Sequence, residues 1–178
     1  MRALLSLAEI NVIEQAYTLG VPSLGKAADE LLLRWRHNLR DAETAMRLVY
    51  LCWYRCCEPL HLTGLEDDLP STDAIIAEFG DEEQLTAEML FSIGMLAYLF
   101  PYCLGDETTW QHRATIYLQR ATTVEPTSPL FRNWPYFIGD SNAIVDPEVF
   151  IRTEVHARFH GRGAFGEYMK HLLIESLR

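Results

Sequence analysis

The 178-residue sequence predicts an all-α fold: one domain of stacked antiparallel helical hairpins, arranged in the manner of an α-solenoid. Three observations carry that expectation. Apolar-face positions recur at helical spacing, as at Leu7, Ile10, Ile13, Glu14 and Tyr17, and again at Leu31, Leu32, Trp35 and Leu39. Strand signals are nearly absent, since no alternating β-branched run is bounded by an Asn-Gly or Asp-Gly turn. The apolar patch Ala143-Ile144-Val145 is too brief to build a sheet. Finally, Gly and Pro punctuate the chain into about eight helices.

The first helix covers residues 5–19 and ends at Gly20 and Pro22. Ser23 is placed to cap a second helix over 24–39, and a third over 42–57 stops before Pro59, which cannot continue it. Thr72 or Asp73 opens a short fourth that ends at Gly80. The fifth, over 83–100, is the most apolar, and a sixth spans 109–123 before Pro126. Residues 124–145 form an aromatic and proline-rich irregular insertion in the single domain 1–178. Asp146-Pro147-Glu148 then starts a seventh helix, with Asp as cap, Pro at the first helical position and Glu in the first turn. Gly161, Gly163 and Gly166 are expected to separate it from the last helix.

Composition narrows the class. Apolar residues make up 49% of the chain, enough to build a core at this length without disulfides or a structural metal. The four cysteines, Cys52, Cys56, Cys57 and Cys103, follow no disulfide framework and read as free thiols in a reducing cytoplasm. The apolar run before Glu9 is too short for a signal-peptide core, so no export signal is assigned. Residues 89–105 carry no charge, but Pro101 interrupts them and acidic residues flank them, so a helix buried in a protein core explains the run better than a membrane span.

An internal repeat emerges on shifting the chain by 42 positions, which aligns Thr44-Ala45 with Thr86-Ala87, Leu48 with Leu90, Leu51 with Ile93, Pro59 with Pro101 and Leu62 with Leu104. In the second copy, Ala114, Leu118, Ala121 and Pro126 resemble the second helix of a tetratricopeptide repeat. Leu90, Ile93 and Gly94 fit the first helix, while Ala97 stands where that family usually has Tyr. The resemblance implies tetratricopeptide-like hairpins with a concave surface for a protein or peptide.

Several patterns suggest chemistry that their surroundings do not support. His156 and His160 share a helix face at a spacing suited to zinc, but the protease-type Glu between them is missing and Arg158 lies in the same turn. Gly161-Arg162-Gly163-Ala164-Phe165-Gly166 satisfies G-x-G-x-x-G, yet a helix rather than a strand precedes it and the chain ends before a ribose-binding acid could follow. A flexible connection is the expectation there. Cys52, Cys56 and Cys57 lie among apolar residues without the positive surroundings that activate a nucleophile. No catalytic residue and no cofactor is assigned.

Charge is the most informative feature. Between Arg55 and Arg113 there is no Lys or Arg, while Glu58, Glu66, Asp67, Asp68, Asp73, Glu78, Asp81, Glu82, Glu83, Glu88, Asp106 and Glu107 all fall in that interval. Nearly all of the net charge of −10 therefore resides in the middle third. Such a field repels nucleic acid and anionic lipid and draws cationic surfaces, although acidic loops also serve to keep a protein in solution. In the 124–145 insertion, Trp134, Tyr136 and Phe137 suit either a binding loop or a lid folded onto the helices.

The expectation is a non-enzymatic domain that binds a basic protein and neither nucleic acid nor membrane, most concretely an immunity-type inhibitor of a basic toxin such as a nuclease. Its contacts are Glu66, Asp67, Asp68, Asp73, Asp81, Glu82, Glu83, Asp106, Glu107, Trp134, Tyr136 and Phe137. The alternatives are a helical metal-dependent enzyme or small-molecule binder using His156 and His160, and a secretion chaperone.

Overall fold

Most of the long helices begin on a side-chain cap supplied by the local sequence. The computed structural model describes residues 3–37, 40–139, 144 and 146–177. Ser6 opens α1 (Leu7–Thr18) with a reciprocal capping box to Glu9. Asp41 accepts from the Thr44 N–H to open α3 (Ala42–Cys57), and Ser71 from Ala74 to open α5 (Thr72–Phe79). Thr86 caps α6 (Ala87–Leu99), and Asp106 caps α7 (Glu107–Val124). Each such bond satisfies a backbone donor that the first helical turn leaves without a partner.

The structure moves several expected boundaries. Ser23 does not cap α2 (Leu24–Arg36); its backbone is already helical, and its hydroxyl instead donates to the Ile13 carbonyl at 2.7 Å, tying α2 to α1. The expected end of this helix at residues 38–39 lies outside the described residues. Between α3 and α5 a single turn, α4 (Leu60–Thr63), starts at Pro59. Helix α6 begins at Ala87 rather than Glu83, because Glu82–Gln84 closes a separate 3-10 turn before Thr86 can cap.

The 124–145 insertion is only partly irregular. It contains α8 (Pro129–Arg132) and α9 (Trp134–Phe137), in which Pro occupies a first-turn position where no amide hydrogen is needed. Leu130 and Phe131 are fully buried, and Phe137 packs against Phe91 and Phe150. Of this section, residues 140–143 and 145 lie outside the described residues, as do two of the three positions in the short apolar patch. After the Asp146 cap, α10 (Pro147–Phe150) continues through a π-helical segment, Ile151–His156, into α11 (Ala157–Phe159). The last helix, α12 (Gly163–Glu175), starts inside the glycine-rich run instead of after it.

Among the described residues there is no strand; seven of the helices so labelled reach seven residues or more, and the continuous stretch from α10 through α11 makes an eighth. Helices α6 and α7 form the tightest hairpin: a Cβ on Gly94 would stand 2.8 Å from Leu118 Cγ, so glycine lets the two axes approach. Helices α3 and α6 run side by side in the same direction. Glu43 and Glu88, near their starts, share Arg162, while the rings of Trp53 and Phe100, near their ends, meet in a tilted pair with centroids 5.8 Å apart. Both helices stop just before or at a proline-led turn, Pro59 and Pro101, in keeping with the internal repeat.

Every residue of α6 from Met89 to Ala97 is buried, which accounts for its lack of charge. Among the described residues no helix is long and apolar enough to cross a membrane. Helix α12 returns to pack on α1 and α3, so the C-terminal part of the chain covers the N-terminal hairpin. Its Phe165 and Tyr168 join Tyr50, Trp53 and Tyr54 of α3 in one aromatic cluster.

Candidate functional site: an acidic cleft and its flanking loops

Helix α7 turns Arg113, Tyr117 and Arg120 toward α5 and the 80–84 loop, because these positions recur on one helical face. The space between them is a cleft of about 920 Å³ lined by Asp73, Asp81, Glu82, Glu83, Arg113 and Arg120, with Ile76 and Ala77 beneath. Four of the residues expected at a partner surface are thus brought to one place.

The two arginines divide those carboxylates. Arg113 reaches Asp73 at 2.5 Å and Glu82 at 3.3 Å, with its guanidinium 4.8 Å from the Trp110 ring. Arg120 lies 3.7 Å from the Glu82 carboxylate and donates to the Glu82 backbone carbonyl at 2.9 Å. Burial, followed by the neighbouring Glu82 carboxylate, pushes the Tyr117 hydroxyl above its ordinary range. Asp81 and Glu83 are exposed and make no ion pair among the described residues. The backbone reverses at Gly80 and Asp81, where Asp81 takes φ 68° and ψ 173°, outside the αL well and in a region that residues other than glycine seldom enter.

The other acidic positions fall on either side. Glu66, Asp67 and Asp68 are exposed in the connection after α4, near Lys26 across a shallow groove. Asp106 and Glu107 start α7, where bonds from the Thr109 hydroxyl and amide hold the Asp106 carboxyl below its ordinary range. Asp73 approaches this turn too, lying 4.0 Å from where a Cβ on Gly105 would be. Of the aromatic candidates, Trp134 and Tyr136 are half-buried and Phe137 is in the core.

Basic residues from outside the middle section correct the picture of an unrelieved acidic stretch. Glu78 accepts from Trp35 Nε1 at 2.7 Å and pairs with Arg40 at 3.4 Å. Glu88 pairs with Arg158 at 3.4 Å and Arg162 at 2.5 Å. Together with Asp73 and Glu82, these carboxylates are partly neutralised by side chains distant in sequence, and the excess field comes from the remainder.

Comparison with family models, with curated proteins and with solved structures finds no significant match for this chain. The functional reading therefore rests on geometry.

That geometry gives little to catalysis at the other candidate positions. The His156 and His160 rings are 6.5 Å apart and exposed, and Lys170 Nζ lies 3.5 Å from His160 Nδ1. Among the described residues no three His, Cys, Asp or Glu side chains are grouped to hold a metal ion. Burial pushes the Cys52 thiol up to about 12 and the Cys57 thiol up to about 11, away from the thiolate form a nucleophile needs. The glycine-rich run is not a flexible connection, and its helix N-terminus is already occupied: Ala164 N–H donates to Glu14 Oε2 at 2.6 Å. A carboxylate of the chain itself takes the place a phosphate would need.

Sequence reasoning missed the network to which Glu14 belongs. Arg47 pairs with Glu14 at 3.6 Å and Glu43 at 2.7 Å and donates to Asn11 Oδ1, while Arg162 joins Glu43 to Glu88. Arg158 continues from Glu88 to Glu125 at 3.1 Å. One signal was present in the sequence: Glu14 interrupts the apolar face of α1 at a core position.

Proposed function

We propose that the chain is a non-enzymatic protein-binding domain of the immunity-inhibitor type, which captures and blocks a basic protein such as a nuclease toxin through its acidic loops. The observation that carries this reading is the inequality of charge at the surface. Glu66, Asp67, Asp68, Asp81 and Glu83 are exposed without an ion pair among the described residues, whereas the two arginines that line the cleft, Arg113 and Arg120, are already engaged by Asp73 and Glu82. Carboxylates not already paired are the ones that can steer a cationic partner and release it as salt rises. Asp73 and Glu82, held by Arg113 and Arg120, set the position of the cleft wall.

The close α6–α7 hairpin at Gly94, with Ala114, Leu118 and Ala121 buried, supports the tetratricopeptide-like description of this unit and with it a chaperone as the second reading. The test is capture of the partner from the native host, followed by association kinetics at two salt concentrations. Asp67→Lys/Asp68→Lys is expected to slow association at least several-fold at low salt, with a smaller effect at high salt. An acidic partner, or unchanged rate constants, refutes the acidic-surface reading.

A further inference from the structure

Three thiols converge where the two copies of the repeat meet. Helix α3 ends with Cys56 and Cys57, and the Pro101–Cys103 turn that follows α6 lies against that end. Cys56 is exposed, and its Sγ lies 3.9 Å from the Cys103 carbonyl. Cys103 is only 8% exposed; burial, and after it the neighbouring Cys57 and Cys56 thiols, hold its own thiol above the ordinary range. Cys57 is half-buried and turns its Sγ back to the Trp53 carbonyl at 3.7 Å. Cys52 stands apart one turn earlier, buried with its Sγ 3.1 Å from the Pro70 carbonyl.

We propose that Cys56 and Cys103 form a thiol–disulfide exchange site, in which a low-molecular-weight disulfide such as oxidised glutathione enters at Cys56 and Cys103 completes a disulfide between the two repeat copies. Cys56 is the entry point because it is the exposed thiol of the four. Cys103 is the resolving thiol because its turn faces the end of α3. Cys56 and Cys57 cannot pair with each other while α3 is intact, because successive side chains on a helix diverge by about 100°.

The chemistry balances with the named oxidant. The Cys56 thiolate attacks one sulfur of oxidised glutathione; the glutathione S–S bond breaks, a mixed disulfide forms and one glutathione thiolate leaves. Cys103, whose buried thiol holds its proton more tightly than an ordinary cysteine, gives that proton to the glutathione thiolate released in the first step, which makes this the slow step of the exchange. Its sulfur attacks the Cys56 sulfur, expelling the second glutathione. Two cysteine thiols are oxidised by two electrons, and one oxidised glutathione becomes two reduced ones.

The bond would staple the chain across 47 positions, next to Phe100 and Tyr102, which are 40% and 57% exposed. It would fix the turn that carries this aromatic ledge. The site is independent of the acidic loops, so it stands or falls apart from the function proposed above.

The experiment incubates the reduced, full-length protein with oxidised glutathione, blocks remaining thiols under denaturing conditions, and maps disulfides by peptide mass spectrometry. The expected result is loss of two thiols per chain, a Cys56–Cys103 cross-linked peptide and a higher melting temperature that dithiothreitol reverses. Cys103→Ser should stop at one glutathione on Cys56, Cys56→Ser should give no internal disulfide, and Cys57→Ser should behave as wild type. The wild-type map decides the matter if a variant fails to fold. A wild-type protein that keeps all four thiols, retains only a mixed disulfide, or links Cys52 or Cys57 overturns the proposal.

Discussion

The loops around Asp67 and Glu83 and the interior around Glu14 use the same residue types for opposite ends. In the loops, Glu66, Asp67, Asp68, Asp81 and Glu83 stand in water without ion pairs among the described residues. In the interior, the Glu14 and Arg47 side chains are 0% and 3% exposed, and each needs the other. Water screens a surface charge, so moving or reversing it alters the long-range field but scarcely alters folding. A buried charge has given up its hydration, so removing its partner leaves a cost that nothing nearby can offset. The position of a charge, more than its identity, decides whether it acts on another molecule or on the fold.

The interior should show the largest effect. Arg47→Met leaves Glu14 buried beside Glu43 without its main cation, and stability is expected to fall by about 3–5 kcal/mol. Denaturant unfolding measures this directly. The double variant Glu14→Leu/Arg47→Met should recover much of the loss, because it removes both charges; a single variant as stable as wild type would show that the network is incidental.

A second effect depends on pH. Burial holds the Glu14 carboxyl above its ordinary value of 4.5, against weaker opposing pulls from Arg47 and the Ala164 N–H. Folded Glu14 thus keeps its proton to higher pH than the unfolded chain does. Its contribution to stability is fully present below that ordinary value and is lost as pH rises through the raised, folded one. Unfolding free energies of wild type and Glu14→Gln, measured across this window, should show the wild-type advantage shrinking as pH rises and then levelling. An advantage that grows with pH contradicts the assigned direction.

The loops should give the smallest change in stability. Asp67→Lys/Asp68→Lys is expected to shift the unfolding free energy by no more than about 0.5 kcal/mol, even though it reverses two charges. A larger loss would mean that these side chains hold the α4–α5 connection in place, and the contrast between loop and interior would fail there.

Much of the framework was readable from local rules. Asp146-Pro147-Glu148 starts α10 as expected, with Asp146 accepting from the Val149 amide, and α3 keeps its predicted bounds. Most of the uncharged run is a buried helix, because every face from Met89 to Ala97 meets the core and leaves no place for a charge. The acidic candidates were legible as composition, and Asp73, Asp81, Glu82 and Glu83 do share a cleft. Their neutralisation was not legible, because Arg113 and Arg120 come from a helix that reaches Asp73 and Glu82 only across the cleft of the folded chain. Ser23 shows the same limit on a smaller scale: a residue suited to capping found a better acceptor on another helix.

The sequence by itself determined which long segments are helical, which helix is buried all round, and where acidic charge accumulates. These properties depend on neighbours within a few turns, through capping, periodicity and the absence of opposite charge. Only the tertiary structure decided which charges meet. Glu14 reaches the Ala164 amide across 150 positions, and Gly163 is glycine because it holds a φ of 61° and a Cβ there would overlap the Glu14 carboxylate. Electrostatic energy depends on distance in space and on burial, and neither is fixed by distance along the chain.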